Sequence, residues 1–477
     1  MKRFGAAFAR WSQRWMPDPF VLACGLSVFV IISAVAVPQH ESLVEQSLLH
    51  RIPAVADLWL NGLWDAGFLT FALQMCFVLL TGFALAKAPP AVRLLGRLAG
   101  RIRTERAAVT WTAALSCAGC WINWGFGLIA AGVFASRLRS EFAARGRRCH
   151  GALLVAAAYV GMMIWHGGLS GSAPLKVAES GIALANGKTI APISIDEMTL
   201  STGNLVLSLV LLVGVPLLIR QMASKTDAAD RASIESAVAH PPSGSNERDR
   251  TDIGANERQT IADRLNRTAV LPVLVAAVGS IALVNTVRRH GSAAIDLNFV
   301  NTVFLVAGLL LHGNLASYVA AVGESGRAIA GIVLQFPFYA GIQGVMQDAG
   351  IAAWLSSAFL DGSVRIADAL GVPATVTFPI ATFLSAGIVN IFVPSGGGQW
   401  IVQGPIVCEA AQALGAPFGQ AVMALSYGDE WTNMIQPFWA IPLMGQTGVN
   451  VREFMGYCAL IMLLAAPVYL IALVTLY

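Results

Sequence analysis

Residues 388–400 read IVNIFVPSGGGQW and lie between long apolar segments. The stretch places an Asn, a Pro, a Ser and three consecutive glycines where a membrane-buried helix favours Leu and Ala. Backbone that leaves the helical conformation at membrane depth is tolerated only where protein or a water-filled cavity satisfies its polar groups. The stretch therefore predicts an interrupted membrane segment that faces a polar interior and not lipid.

The composition of the whole chain is that of an integral membrane protein. Of its 477 residues, 56% are apolar and only 12% are charged, and the mean hydropathy is +0.65. A soluble domain carries about 25% charged residues. A membrane-spanning helix needs about 20 predominantly apolar residues. The predicted spans are residues 20–37, 68–86, 205–219, 268–285, 299–311, 329–346 and 454–476.

The N-terminal segment, residues 1–19, is predicted to form an interfacial amphipathic helix. Its aromatic residues fall on one helical face and its basic residues elsewhere, a pattern typical of helices that lie in the membrane surface. A cleavable signal peptide over residues 1–37 is the alternative, since Ala34-Val35-Ala36 resembles a cleavage site. The long apolar run and the many spans that follow favour an uncleaved first span.

Positive charge indicates the orientation of the chain. Residues 87–106 contain six Lys or Arg residues and residues 137–148 contain five. Loops rich in Lys and Arg are cytoplasmic, and we also place the N-terminus in the cytoplasm. Only residues 107–136 lie between these loops, whereas two full crossings use about 40 residues. They therefore predict a re-entrant hairpin with its tip at residues 120–127.

The chain divides into two halves with a weak internal match. Residues 220–267 are polar and are predicted to be a flexible cytoplasmic linker between a first repeat (20–219) and a second (268–477). The spacing from Asn to Tyr is 159 − 123 = 36 in the first half and 427 − 390 = 37 in the second, and the spacing from Tyr to Pro is 174 − 159 = 15 and 442 − 427 = 15. Counting the membrane crossings gives corresponding spans of the two halves opposite directions, so the two repeats are predicted to be inverted. The predicted fold is an all-α polytopic membrane protein with two inverted repeats, each containing a re-entrant helical hairpin and a broken transmembrane helix.

Four polar interruptions are expected to converge: residues 123–127, 165–174, 390–400 and 427–437. Helix N-termini exposed at such interruptions favour an anion, and unwound carbonyl groups suit a cation. The four interruptions therefore predict a binding site for a small carboxylate next to a coupling ion. The predicted substrate-binding residues are Asn123, Trp124, Gly125, Trp165, His166, Ser170, Ser172, Asn390, Ser395, Gly396, Gly397, Gly398, Gln399, Trp431 and Asn433.

The acidic pair Asp429 and Glu430 lies in an otherwise apolar segment and is predicted to couple transport to H⁺ or Na⁺, because intramembrane carboxylates serve in ion pathways. His166 is read either as a titrating group or as a neutral ring bonded to a backbone carbonyl. The tryptophans at the interruptions, among them Trp400, either line an apolar cavity or pack between helices.

An intramembrane protease and a channel are the alternative functions. Gly168-Leu169-Ser170-Gly171 matches the G-x-S-G of rhomboid intramembrane proteases, for which His312 would be the base, but the motif is short and leaves the second half unexplained. A channel is the other alternative, whereas a receptor or scaffold needs no matched re-entrant elements.

We predict no enzyme activity, cofactor, metal site or nucleic-acid partner, and we interpret Cys117 and Cys120 as packing residues.

Several longer motifs resemble those of the bacterial short-chain fatty acid transporter family: Arg14-Trp15-Met16-Pro17-Asp18-Pro19, Cys120-Trp121-Ile122-Asn123-Trp124-Gly125-Phe126-Gly127-Leu128, Gly308-Leu309-Leu310-Leu311-His312, Gln335-Phe336-Pro337-Phe338-Tyr339-Ala340-Gly341-Ile342-Gln343, Val393-Pro394-Ser395-Gly396-Gly397-Gly398 and Gln436-Pro437-Phe438-Trp439-Ala440. The resemblance implies uptake of acetoacetate, butyrate and similar monocarboxylates across the bacterial inner membrane. It also implies a scaffold domain that forms a homodimer and a transport domain that moves like an elevator. Two positions depart from the family pattern, since Gln399 stands where His is common and His166 where Gly is common.

Overall fold

The computed structural model describes residues 2–15, 17, 19–147, 149–183, 189–223, 260–294, 297–324, 326–393 and 396–477, and these are almost entirely helical. Helices of the first half are α1 (Lys2–Trp15), α2 (Pro19–Ala36), α3 (Glu41–Val44), α4 (Leu48–Leu63), α5 (Ala66–Lys87), α6 (Pro89–Arg101), α7 (Glu105–Ile122), α8 (Trp124–Ala144), α9 (Gly151–Tyr159), α10 (Ser172–Ser180) and α11 (Thr202–Arg220). Strands β1 (Ile182–Ala183) and β2 (Thr189–Ile190) pair antiparallel, with Ile182 opposite Ile190.

The second half follows with α12 (Ile261–Arg267), α13 (Val270–His290), α14 (Leu297–His312), α15 (Leu315–Glu324), α16 (Gly326–Asp348), α17 (Ile351–Leu370), α18 (Ala374–Phe392), α19 (Gly396–Leu414), α20 (Phe418–Thr432), α21 (Pro437–Thr447) and α22 (Val451–Thr475). Short 3-10 turns occupy Val160–Met163, Ile195–Glu197, Gly291–Ala294 and Asn433–Ile435. Four helices of the described chain, α11, α13, α18 and α22, are long and apolar enough to cross a membrane by length and composition.

All seven predicted apolar runs coincide with helices, namely α2, α5, α11, α13, α14, α16 and α22. Two long helices were not predicted. Arg51 and Asp57 lie within α4, and Asp361 and Arg365 lie within α17, so no uncharged run marks either helix. Amphipathic helices of this kind take their stability from packing one face against the protein and are not found by a search for apolar runs.

The N-terminal helix α1 packs along the C-terminal helix α22. A Cβ atom at Gly456 of α22 would lie only 2.2 Å from the carbonyl oxygen of Phe8, so the two backbones are in direct contact. Phe4 and Trp11 remain 64% and 54% exposed. The predicted helix is therefore present, with α22 covering one face, and the placement of its aromatic face in lipid stays a prediction.

Two pairs of helices turn back on each other. In the first hairpin, α7 and α8 are joined by the single residue Asn123, and a Cβ atom at Gly127 would lie 2.1 Å from the backbone nitrogen of Cys120. Glycine at this position therefore permits the close approach of the two helices. In the second hairpin, α18 ends at Phe392 and α19 begins at Gly396.

Two further segments are interrupted helices. In the first break (residues 160–171) the chain leaves α9 through a 3-10 turn and successive turns before α10 begins at Ser172. In the second break (residues 433–436) a 3-10 turn and Gln436 separate α20 from α21. The two breaks and the two hairpins lie within the main buried core of the protein.

All four predicted interruptions were too long. Gly125–Gly127 belong to α8, residues 172–174 to α10, Gly396–Trp400 to α19 and Tyr427–Thr432 to α20, while Asn390 lies in the last turn of α18. Intrinsic propensity is a weak guide here, because a Gly in a helix costs only about 1 kcal/mol relative to Ala and tertiary packing outweighs it. The predicted flexible linker was also wrong at its end, since Ile261–Arg267 forms α12, and residues 224–259 lie outside the described residues.

Candidate functional site

The tip of the first hairpin contacts the first break. The backbone N–H of Trp124 donates a hydrogen bond to Ser170 Oγ at 3.2 Å, and the backbone N–H of Leu169 donates to the carbonyl oxygen of Trp121 at 2.8 Å. Asn123 caps α8, because its side-chain oxygen accepts the backbone N–H of Phe126 at 3.0 Å. The predicted residues of these two segments are therefore brought together by backbone hydrogen bonds.

The tip of the second hairpin contacts the second break. Asn390 Nδ2 lies 2.8 Å from the carbonyl oxygen of Asp429, 2.8 Å from Asn433 Oδ1 and 3.0 Å from Thr432 Oγ1. In return, Gln436 Nε2 donates to the carbonyl oxygen of Asn390 at 3.1 Å. The amide of Asn390 thus pairs with a carbonyl oxygen in the last turn of α20, where the helix ends and its last carbonyl groups lack helical partners.

Glu430 joins the first break to α20. Its Oε2 accepts the backbone N–H groups of His166 at 2.7 Å and Gly167 at 3.3 Å, and its Oε1 accepts the hydroxyl of Tyr469 at 3.3 Å. The same hydroxyl also contacts the carbonyl oxygen of Met163. Because a carboxylate buried among helices is costly unless its oxygens are paired, we assign Glu430 a role in holding the first break in place.

Asp429 is paired with the imidazole of His166. His166 Nε2 accepts the backbone N–H of Ala173 at 3.1 Å, so the proton of the neutral ring is on Nδ1, which donates to Asp429 Oδ1 at 3.2 Å. His166 is 0% and Asp429 is 1% exposed. The predicted bond from His166 to a backbone carbonyl is absent, since its ring nitrogens contact a carboxylate and a backbone N–H. Asp429 Oδ2 has no hydrogen-bond partner in the described chain.

Two tyrosines connect each half to the break of the other half. The hydroxyl of Tyr159 lies 2.8 Å from the carbonyl oxygen of Asn433 and 2.9 Å from that of Gln436. The hydroxyl of Tyr427 donates to Asn204 Oδ1 at 2.7 Å, and Asn204 Nδ2 donates to the carbonyl oxygen of Gly167 at 2.7 Å. The sequence spacing singled out both tyrosines. Gln436 lies within the predicted interruption 427–437 but was not predicted as a site residue, and Asn204 was missed because nothing in its sequence context places it beside a break.

The glycines of α19 bring the second hairpin against the first break and α16. A Cβ atom at Gly396 would lie 2.5 Å from His166 Cε1 and 2.6 Å from Ser172 Oγ, and one at Gly398 would lie 2.7 Å from Gln343 Oε1. At Gly397 the nearest atom would be Ser172 Cβ at 3.8 Å, an ordinary contact. The predicted site residue Ser395 lies outside the described residues.

Gln399 lies between the two arms of the second hairpin. It is fully buried, and its Nε2 donates to the carbonyl oxygen of Ala386 at 2.8 Å and to Gln403 Oε1 at 2.7 Å. Gln399 Oε1 has no partner among the described residues. The side chain therefore connects α18 to α19 and is not hydrogen-bonded to either break.

Trp124, Trp165 and Trp439 form an aromatic cluster at the junction, with ring centroids 5.0 to 6.5 Å apart. Trp165 also stacks on His166, with centroids 4.3 Å apart and planes inclined by 13°. The sequence suggested no site role for Trp439, which precedes the apolar part of α21. Of the other predicted tryptophans, Trp431 donates its indole N–H to the carbonyl oxygen of Met462 at 2.8 Å and packs on Phe383, away from this cluster.

Several polar atoms at this junction are buried and have no partner in the described chain. The acceptors are Asn390 Oδ1, Asp429 Oδ2 and Gln436 Oε1, and the donors are Asn433 Nδ2, Trp165 Nε1 and Trp439 Nε1. Buried polar atoms in proteins are nearly always paired, and each exception needs an explanation. Together these acceptors and donors offer partners for both a cation and an anion. The described residues contain no group of three or more His, Cys, Asp or Glu side chains that could hold a metal ion.

The alternative of a serine protease is not supported, because Ser170 is not hydrogen-bonded to a histidine among the described residues. Ser170 Oγ accepts the backbone N–H of Trp124, while the ring nitrogens of His312 contact Ser317 Oγ and the carbonyl oxygen of Ala84, each at 2.8 Å. Cys117 and Cys120 are both buried, and Cys120 Sγ donates to the carbonyl oxygen of Trp124 at 3.5 Å.

These features define a helical, multi-pass membrane protein whose interrupted helices meet at a buried polar junction. Residues 1–476 match the profile of the family described as "Short chain fatty acid transporter", and the chain belongs to that family. Two relatives share 34% sequence identity with it, one from Escherichia coli strain K12 over 99% of both chains, and one from Haemophilus influenzae over 99% of this chain and 98% of the relative. Each is named "Putative short-chain fatty acid transporter".

Two solved structures also show similarity. The Alcanivorax borkumensis YdaH transporter has a TM-score of 0.44 at 17% identity, covering 96% of this chain and 97% of that one. Neisseria gonorrhoeae MtrF, described among antimetabolite efflux pumps, has a TM-score of 0.42 at 16% identity, covering 98% and 96%.

Proposed function

We propose that the protein is a secondary active transporter that takes up butyrate, acetoacetate and similar small monocarboxylates by symport with H⁺ or Na⁺. The observation that carries this proposal is the pair His166–Asp429, which joins the first break to α20 at 3.2 Å with both side chains buried. Ionisable side chains within membrane segments are rare and mark ion or substrate pathways. Membership of the short-chain fatty acid transporter family supports the class of substrate.

Both coupling ions have a physical basis at Asp429. For H⁺, Asp429 Oδ2 accepts no hydrogen bond from the described part of the chain, while the Nδ1–H of His166 donates to the other carboxylate oxygen. For Na⁺, three oxygens without partners among the described residues supply the hard ligands that such cations bind, namely Asn390 Oδ1, Asp429 Oδ2 and Gln436 Oε1. In either case the ion reaches the same carboxylate.

The carboxylate of the substrate is proposed to bind where the breaks meet the hairpin tips. The start of α19 supports this placement, because the N-terminus of a helix favours a negatively charged ligand. The proposed binding residues are Asn123, Ser170, Asn390, Ser395, Asn433 and the backbone of Gly396, Gly397 and Gly398, with Asp429 controlling coupling.

The wider architecture is proposed on the same basis. In each half a helical hairpin precedes an interrupted helix, which supports two inverted repeats over residues 20–219 and 268–477, joined by a cytoplasmic segment at 220–267 that contains α12. We place the protein in the bacterial inner membrane with its N-terminus in the cytoplasm, as a homodimer with an elevator-type transport domain.

The test is uptake of labelled C2 to C6 acids into proteoliposomes under an imposed proton or sodium gradient. We expect accumulation above equilibrium with one gradient only, and its loss in Asp429→Asn, while exchange of labelled for unlabelled butyrate continues. Asp361→Asn, an exposed acid on α17, is the matched control and should behave as wild type. Uptake that follows only the substrate gradient would indicate a channel, and undiminished accumulation in Asp429→Asn would remove Asp429 from the mechanism.

A further inference from the structure

Two buried indole N–H groups at the junction lack an acceptor. Trp165 is 3% and Trp439 is 5% exposed, and neither Nε1 atom has a hydrogen-bond partner in the described chain. Such a donor loses its bond to water without gaining another, so the arrangement is unfavourable until an acceptor arrives. Trp431 shows the usual outcome, because its indole N–H donates to a carbonyl oxygen of α22.

The two donors come from different halves but lie in one cluster. Trp165 follows the 3-10 turn of the first break, and Trp439 lies in the first turn of α21, just after the second break. Their ring centroids are 6.5 Å apart, and Trp124 contacts both rings. One carboxylate can accept a hydrogen bond from each of two such donors, since it has two oxygens and each binds an N–H donor at about 2.9 Å.

The chemistry of the cluster restricts the class of ligand. An indole N–H is a donor and never an acceptor, so the ligand must present acceptor atoms, and a carboxylate presents two. The faces of the three rings are apolar and suit a short acyl chain next to that carboxylate. A compact anion with a hydrocarbon tail fits both properties.

We propose that Trp165 and Trp439 bind the substrate carboxylate through their indole N–H groups. This inference rests on the proposed transport of monocarboxylates. It adds Trp439 to the binding residues and gives the predicted residue Trp165 a defined contact. Trp165 stacks on His166, whose Nδ1 donates to Asp429, so the ring that contacts the substrate also contacts the ion-coupling pair. Binding of the substrate at Trp165 therefore affects the pair His166–Asp429 through the direct contact between Trp165 and His166.

The test replaces each indole by a ring without an N–H. In proteoliposomes, Trp165→Phe and Trp439→Phe should each raise the KM for butyrate about tenfold, since a hydrogen bond to a charged group is worth roughly that factor. Vmax should change less than about twofold, because the rings still pack. Trp111→Phe, at a 61% exposed position on α7, is the matched control and should leave KM unchanged.

A measurement on the wild type covers the case in which a variant fails to fold. With ¹⁵N-labelled tryptophan in lipid nanodiscs, butyrate should shift two indole N–H signals downfield, each absent from one of the two variants, and n-butanol should shift neither. Suppose that the wild type takes up butyrate. If KM is then unchanged in both variants, or if no indole signal shifts, this inference is wrong and the proposed function still stands. No uptake of any monocarboxylate by the wild type overturns both.

Discussion

The first break and the second break both leave backbone groups without helical partners, and they satisfy these groups in different ways. The second break is short, a 3-10 turn and one residue, and Asn390 of the adjacent hairpin supplies much of its hydrogen bonding. The first break runs through residues 160–171, and its backbone is held by Glu430 and Asn204. Glu430 is 264 residues away in sequence from the N–H that it accepts.

This difference indicates which break is the more dependent on the rest of the protein. Membrane segments must satisfy every backbone polar group internally. For the second break most partners belong to the same half, with Tyr159 the exception. For the first break the carboxylates of both Asp429 and Glu430 come from the other half. Substitutions at the shared contacts should therefore affect the first break most.

The largest effect is expected for Glu430→Ala. It leaves the N–H groups of His166 and Gly167 buried without an acceptor, which should lower the free energy of unfolding by about 3 kcal/mol. Unfolding in mixed detergent and SDS measures this directly. Glu324→Ala, which removes an exposed ion pair with Lys87 at 2.6 Å, should cost less than about 1 kcal/mol. Equal losses in the two variants would show that the first break does not depend on Glu430.

Next in size is the effect of a methyl group at the start of α19. Gly396→Ala forces a Cβ atom against His166 and Ser172, and overpacking of this kind costs about 2 kcal/mol. We expect the KM for butyrate to rise about tenfold and the thermal midpoint to fall. Gly397→Ala is the matched control, since its Cβ atom meets nothing closer than 3.8 Å. A similar response of both variants would mean that the contact with the first break is unimportant.

The smallest difference is expected between the two hairpin asparagines. Asn390→Ala removes an amide with partners in α20 and the second break and should cost about 2 kcal/mol. Asn123→Ala removes one helix cap and should cost about 1 kcal/mol. Unfolding titrations of both variants would resolve the difference. A larger loss at Asn123 would reverse the view that the second break is the more firmly held by its own hairpin.

Much of the helical layout could be predicted because membrane segments follow length and charge rules. The basic residues on either side of residues 107–136 predicted a helical pair there, and Asn123 lies at its turn. What could not be predicted was the helical conformation of Gly396–Gly398. Three glycines favour an irregular turn by propensity, but here their missing Cβ atoms let α19 approach His166 and Gln343.

The composition of the junction was partly predictable for a similar reason. Polar residues inside apolar segments directed attention to His166, Asn390 and Asp429, which the structure brings together. Glu430 received the same predicted coupling role as Asp429. Only the geometry distinguishes them, since both oxygens of Glu430 have partners whereas Asp429 Oδ2 has none among the described residues. Trp439 could not be found, because aromatic residues are ordinary in an apolar helix and only its unpaired N–H distinguishes it.

The bond between Glu430 and the backbone of His166 has a consequence for biosynthesis. Domains of a growing chain form from the N-terminus onward as residues are added. The N–H groups of His166 and Gly167 enter the membrane long before their acceptor has been translated. Until α20 has been synthesised, the first half therefore lacks part of its hydrogen bonding. Insertion of α20 completes the fold of both halves.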